Sequence, residues 1–148
     1  MIGMNRVILC GRLGADPEIK YSAKEKPYTR LSVATNRSYK ENDGQFKEVT
    51  DWHSVFVWGE KAERCCHNYR KGDVVMVEGA LTYWQVARST EVKYQNAVQA
   101  ERVHLITHAR SNYSPNPAPE ADIGDIESME DLDNPPGARN HNAVAHPA

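Results

Sequence analysis

Aromatic side chains at alternating positions are the feature of this sequence best suited to binding chemistry. Along one predicted strand, every second residue is aromatic or small: Trp52, Ser54, Phe56 and Trp58. Because successive side chains of a strand point to opposite faces, these residues would share one face and Val55 and Val57 would share the other. Both faces carry apolar groups, so the alternation alone leaves open which of them is buried.

Aliphatic residues elsewhere in the chain supply a core without these rings. They recur at alternating positions of two further predicted strands: Leu31, Val33, Val75 and Val77. The aromatic residues are therefore predicted to be exposed, where rings stack on nucleobases of any sequence and basic neighbours pair with phosphates. An aromatic core under a solvated charged surface is the alternative. The predicted site consists of Arg37, Tyr39, Lys40, Lys47, Trp52, Phe56, Trp58, Arg70, Lys71, Trp84 and Arg88.

Charge and proline are distributed unevenly along the chain. Residues 1–110 contain 17 Lys and Arg against 13 Asp and Glu, whereas residues 111–148 contain one against seven. Six of the eight prolines also lie in 111–148. Such a segment buries too little apolar surface to offset the entropy of ordering, so we predict a folded domain over 1–110 and a disordered acidic tail over 111–148. The basic body favours a polyanionic partner; solubility is the alternative explanation of the charge pattern.

The order of the predicted elements favours an all-β fold. Strands are predicted over 6–10, 28–39, 49–58, 74–84 and 91–106. Between the third and fourth strands, apolar residues follow helical spacing: Ala62, Cys65, Cys66 and Tyr69. Gly72 is predicted to cap this helix, and Gly79 to mark a bulge or bend. Three strands, one helix and two strands are the order of a five-stranded OB-fold barrel.

Several other classes of function are not favoured. The odd number of cysteines (Cys10, Cys65 and Cys66) predicts free thiols and a reducing, cytoplasmic setting. Neither a metal nor a cofactor is expected, because adjacent cysteines on a helix diverge and no phosphate-binding glycine pattern occurs. No stretch approaches the ~20 apolar residues of a membrane span. An enzyme using Asp51 and His53 as a polar pair is the remaining alternative, and no nucleophile–base pattern supports it.

Five blocks of the chain, in the same order, resemble those of bacterial single-stranded DNA-binding proteins. They are 5–18 (NRVILCGRLGADPE), 32–36 (SVATN), 50–53 (TDWH), 70–73 (RKGD) and 77–79 (VEG). The resemblance covers roughly residues 4–107. It implies a homotetramer of OB-folds, associated with the nucleoid, that binds and protects single-stranded DNA during replication, recombination and repair without a cofactor. It also implies stacking roles for Tyr39, Trp52, Trp58 and Trp84.

Some positions depart from the family pattern. Ser54 and Glu60 stand where some members carry basic residues. The acids of the tail lie between Glu120 and Asp133, and the last fifteen residues contain none, whereas members commonly end in an acidic tip that binds replication and repair proteins. Recruitment of such partners by this tail is therefore expected to be weak. The rival functions are a primosomal OB-fold and an RNA-binding or assembly adaptor.

Overall fold

The computed structural model describes residues 2–88 and 91–110, and the side chains of 87, 88 and 91 are left out of the description. The elements, in chain order, are β1 (Val7–Leu13), β2 (Lys20–Tyr21), β3 (Pro27–Lys40), β4 (Phe46–Trp58), α1 (Glu60–Asn68), β5 (Val74–Arg88) and β6 (Glu91–Thr107). The predicted tail falls outside the described residues. The described residues include no helix with the length and apolar character of a membrane span.

The strands form a closed barrel. Neighbouring strands follow the order β1-β5-β6-β4-β3-β2, and β1 also pairs with β3 to complete the circuit. Every barrel pairing is antiparallel except the short parallel contact between β4 and β6, where Val55 lies opposite Val98. The two-residue β2 pairs only with the start of β3 and was not predicted. The predicted five-stranded barrel with one helix before its last two strands is confirmed.

The core lies on the aliphatic face of the strands. Val55 and Val57 are fully buried, and so are Val33 and Val77 on neighbouring strands. The same cluster contains Leu13, Leu31, Ala62, Cys65, Val75 and Val98. Burial of an aliphatic side chain stabilises a fold by about 1.5–3 kcal/mol, so this face decides the orientation of β4. The predicted aliphatic core is confirmed, and the residues of Trp52 to Trp58 that alternate with it lie on the outer face.

Two glycines allow the strands to approach closely. A Cβ atom built on Gly11 would overlap the carbonyl oxygen of Ala34, and one built on Gly79 would overlap that of Gln99. The pairing of β5 with β6 shifts register between Glu78 and Gly79. The irregularity predicted at Gly79 is therefore confirmed, and its physical reason is close backbone contact at a bend of the barrel.

Helix α1 closes one side of the barrel through Ala62 and Cys65, which are buried in the core. Burial, together with the neighbouring Cys66, raises the pKa of the Cys65 thiol to about 12. The helix ends at Asn68, before Gly72. The predicted cap at Gly72 is wrong: with φ of 88° this residue forms the following turn, which needs the left-handed conformation that glycine adopts without strain.

Candidate nucleic-acid interface

The outer surface of β3 and β4 carries the aromatic residues that the sequence singles out. The register pairs Trp52 with Ala34, Ser54 with Ser32, Phe56 with Arg30 and Trp58 with Tyr28. Paired residues of an antiparallel ladder lie on the same side of the sheet. We refer to these eight residues, opposite the aliphatic core, as the aromatic face.

Four rings of this region contact one another in series. The ring centroids lie 5.0 Å apart for Trp58 and Tyr28, 6.4 Å for Tyr28 and Phe56, and 5.9 Å for Phe56 and Trp84. These distances fall within the range of favourable aromatic pairs. Val86 and Ala97 of the β5–β6 hairpin complete this second cluster. The hairpin therefore covers one end of the aromatic face.

This cover changes the expected role of two predicted site residues. Phe56 is 3% exposed and Trp84 is 9% exposed, so neither offers a free ring face in this structure. The expectation of exposed rings at these two positions is corrected, and the reason is packing of the β5–β6 hairpin over β4. Trp52 and Trp58 keep partly exposed side chains. The partly exposed rings of the aromatic face are thus those of the two β4 tryptophans.

A lysine that the sequence analysis missed lies over the second of these tryptophans. The Nζ atom of Lys26 is 5.5 Å from the ring centroid of Trp58, within the distance of a cation–π contact. Lys26 directly precedes β3, and Tyr28, the residue paired with Trp58, is the second residue of that strand. Only the strand register reveals this proximity, because 32 positions of sequence separate the two residues.

Residues 36–50 extend beyond the barrel as a two-stranded arm, which we call the β3–β4 arm. Register places Lys40 opposite Phe46 and Tyr39 opposite Lys47. By strand alternation, Lys40 and Phe46 continue the aromatic face. Arg37, Tyr39 and Lys47 lie on the other side of the arm. The arm therefore divides the predicted residues between its two surfaces instead of presenting them together.

Two basic side chains of the arm, Arg37 and Lys47, form ion pairs. Arg37 Nε donates to Asp51 Oδ2 at 2.8 Å, and Lys47 Nζ lies 3.3 Å from Glu41 Oε1. The Nζ atom of Lys40 lies 6.0 Å from the Phe46 ring centroid, and Lys40 forms no ion pair within the described part of the chain. Phe46 is 76% exposed, and the sequence analysis missed it. The sequence feature that could have indicated Phe46 was its position at the end of a strand, seven residues after Tyr39.

Arg70 and Lys71 belong to a different part of the surface. The Arg70 guanidinium donates to the carbonyl oxygens of Cys66 and Tyr69, and the backbone N–H of Lys71 donates to Asp16. Cys66 lies on α1, Tyr69 directly follows this helix, and Asp16 lies on the loop after β1. None of these partners is on β3 or β4. The structure therefore does not join this predicted pair to the aromatic face.

Asp73 holds the turn that carries these two basic residues. Its buried carboxylate accepts the backbone N–H groups of Arg70 at 2.9 Å and Ala109 at 2.8 Å, and contacts His108 Nδ1 at 3.3 Å. Burial opposes ionisation, but these hydrogen bonds outweigh it and lower the pKa of the Asp73 carboxyl group. The carboxylate thus connects the end of α1 to the end of the described domain.

Replacing Asp73 by asparagine is expected to lower the free energy of unfolding at pH 7 by ~1–3 kcal/mol, the usual cost of a disrupted buried hydrogen-bond network. A lowered folded-state pKa stabilises the fold above the ordinary Asp value of ~3.9 and is lost as pH falls through the folded value. Urea unfolding should therefore show the wild-type advantage shrinking as the solution becomes more acid. The exposed Glu18→Gln variant is the control, and a difference independent of pH would contradict this account.

The β5–β6 hairpin carries the last two predicted site residues and two that were missed. Trp84 lies on its buried side, whereas the side chain of Arg88 falls outside the description. Tyr83 and Tyr94 are 60% and 71% exposed on the opposite side. Gln85 donates to the Tyr94 hydroxyl at 3.2 Å. Their rings are additional stacking candidates, and the sequence signal was their position next to buried strand residues.

Two polar side chains of β4, those of His53 and Asp51, contact side chains of β3. His53 Nε2 and Thr35 Oγ1 are 2.7 Å apart, and Asp51 is engaged by Arg37. Across residues 2–88 and 91–110, no group of three or more His, Cys, Asp or Glu side chains could hold a metal ion. All three cysteines are free. The arrangement offers ring faces and cations to a ligand.

Comparison with known proteins agrees with this arrangement. The model of the Single-strand binding protein family matches residues 4–106. The chain belongs to this family. The single-stranded DNA-binding protein of Xanthomonas axonopodis pv. citri is 38% identical over 105 residues, which cover 70% of this chain and 58% of the relative. Single-stranded DNA-binding protein 1 of Chlorobaculum tepidum is 33% identical over 106 residues, which cover 70% and 65%. The chain thus spans about three fifths of these relatives.

Solved structures of the Single-strand binding protein family have the same barrel. The Plasmodium falciparum SSB complex with ssDNA has a TM-score of 0.63 at 27% identity, covering 72% of this chain and 96% of that one. Wild-type single-stranded DNA binding protein from Thermus aquaticus has a TM-score of 0.62 at 32% identity, covering 70% and 50%. The matched region coincides with the barrel, and residues 107–148 lie outside the family match.

Proposed function

We propose that this chain binds single-stranded DNA without sequence preference and without catalysing a reaction. The aromatic face is the single observation that carries the proposal, because it holds two partly exposed tryptophans on a strand whose opposite face already fills the core. The Trp52 ring belongs to neither buried cluster, so it stabilises the fold little, whereas it can stack on any base. Family membership and the structural match to a protein solved with ssDNA support the same function.

Stacking and charge act on different parts of the ligand. The rings of Trp52 and Trp58 stack on bases. Lys26 places a cation near Trp58, and Lys40 places one next to the turn at the far end of the arm. Trp52 and Trp58 are six positions apart on β4, which corresponds to roughly 20 Å of extended strand. That length suits a bound segment of several nucleotides, within the range of about 4–16 that one OB-fold covers.

The proposal extends to assembly and to domain organisation. Residues 1–110 form the binding domain, which acts as a homotetramer, and residues 111–148 form an acidic tail that replication and repair proteins bind only weakly. The protein then protects unwound DNA at the nucleoid during replication, recombination and repair. The family match over 4–106 supports the first part, and the charge difference between the two segments supports the second.

Titration with labelled oligo(dT) tests the proposal. Tight binding that quenches tryptophan fluorescence, resists competition by RNA and duplex DNA and needs no ATP is the expected result. Raising the salt concentration should weaken binding, with a log–log slope of ~0.7 for each phosphate contact. Preference for RNA would favour the adaptor function instead, and affinity for duplex equal to that for oligo(dT) would contradict the proposal.

A further inference from the structure

Arg30 occupies the centre of the aromatic face. Its register partner is Phe56, and its guanidinium extends along the sheet to Ser54, whose hydroxyl oxygen accepts from Nε at 3.3 Å and from Nη2 at 3.2 Å. Ser54 is two positions from Trp52 on the same strand face, about 7 Å along an extended strand. Arg30 and Ser54 therefore lie between the two β4 tryptophans on this face.

The charge of Arg30 has no acidic partner within residues 2–88 and 91–110. Three other arginines of the described domain have one: Arg6 and Arg102 contact Glu78, and Arg37 contacts Asp51. Arg30 is also partly buried, and this burial lowers the pKa of its guanidinium. An arginine stays charged in proteins, so the side chain remains a partly desolvated cation, and among the described residues its hydrogen-bond partner is the neutral Ser54 hydroxyl.

We propose that Arg30 binds a phosphate of the DNA backbone between the bases stacked on Trp52 and Trp58, and that Ser54 is its positioning residue. The inference rests on the proposed function and adds a residue to it. A guanidinium forms paired, charge-assisted hydrogen bonds with phosphate oxygens, which is a stronger arrangement than its present bonds to one hydroxyl. The Ser54 hydroxyl oxygen accepts hydrogen bonds from Nε and Nη2 and so fixes the plane of the guanidinium. The two hydrogens of Nη1 and the second hydrogen of Nη2 stay available to a phosphate.

The test uses full-length protein and an oligo(dT) of about ten nucleotides, short enough for one OB-fold. Arg30→Gln should weaken binding at low salt at least tenfold, because a hydrogen bond to a charged group is lost. The slope of log affinity against log salt should decrease by about 0.7. Arg30→Lys should keep the slope but bind more weakly than wild type, since lysine keeps the charge without the fork. Arg64→Gln, on the exposed side of α1, is the matched control.

A second ligand separates phosphate recognition from stacking of the guanidinium on a base. With an oligo(dT) of the same length carrying uncharged methylphosphonate links, wild type and Arg30→Gln should bind alike. Ser54→Ala should weaken binding of the natural oligo(dT) a few fold and leave the slope unchanged. The melting temperatures of Arg30→Lys and wild type should be equal, which shows that the affinities of two folded proteins are compared.

Three results would overturn this assignment. They are an Arg30→Gln variant that matches Arg64→Gln in affinity and slope, a loss of affinity without a change in slope, and a loss that persists on the uncharged ligand. Failure of the proposed function is distinguishable, because wild-type protein would then not bind oligo(dT) at all. If Trp52→Ala loses affinity while Arg30→Gln does not, the aromatic face binds DNA without Arg30.

Discussion

Replacing Trp52 by alanine is expected to weaken binding of oligo(dT) by ~1–3 kcal/mol, the range measured for removal of one stacking ring. Trp52 lies on the aromatic face opposite the small Ala34, and it is absent from both buried clusters of the described residues. Its ring is therefore available to a base, and its loss should leave the fold largely intact. Fluorescence anisotropy of a labelled oligonucleotide measures the change, and urea unfolding of the same sample measures stability.

Trp52→Phe is the matched control for this experiment. A phenyl ring still stacks, so this variant should retain most of the affinity that Trp52→Ala loses. If Trp52→Ala instead lowers the free energy of unfolding while the remaining folded protein binds with wild-type affinity, Trp52 belongs to the core and the stacking role is wrong.

Replacing Trp84 by alanine is expected to act mainly on stability, with a loss of ~3–5 kcal/mol in the free energy of unfolding, as for other buried tryptophans. Trp84 is 9% exposed and packs edge-on against Phe56. Its removal would leave a cavity between the β5–β6 hairpin and β4, which denaturant unfolding monitored by circular dichroism should detect as a lower midpoint.

Trp84→Phe provides the comparison. The indole Nε1 atom of Trp84 is buried and has no hydrogen-bond partner in the described part of the chain, so it adds no favourable bond that phenylalanine would lose. This variant should therefore be much more stable than Trp84→Ala. If the folded Trp84→Phe protein keeps its stability but loses oligo(dT) affinity, the indole contacts DNA directly and the packing role is wrong.

The sequence predicted those parts of the fold that depend on local pattern. Alternation of Val55 and Val57 with the aromatic residues identified the two faces of β4, and apolar spacing identified the helix. The same reasoning placed the irregularity at Gly79, because glycine in a strand marks close approach or a bend. Choosing the inner face also required an estimate of the remaining core, and Val33 and Val77 provided it.

The parts that could not be predicted depend on contacts between distant segments. Burial of Phe56 depends on Trp84, 28 positions later, and nothing in the local pattern of β4 indicates that a hairpin will cover it. The division of the β3–β4 arm follows from register, which pairs Tyr39 with Lys47 and Lys40 with Phe46. Interleaving of basic and aromatic residues suggested one surface where there are two. The central position of Arg30 likewise appears only when the ladder is known.

The buried thiol of Cys65 has a practical consequence for observing this molecule. A thiol reacts as its thiolate, and the raised pKa together with the contact between α1 and the core suppresses that form in the closed barrel. Cys10, on the exposed side of β1, is accessible to the same reagent. Cys65 can be alkylated only when the helix separates from the barrel. The alkylation rate of Cys65 therefore measures how often this local opening occurs in the native protein. The alkylation rate of Cys65 thus reports local opening of the barrel, and the rate of Cys10 reports the reactivity of the reagent under the same conditions.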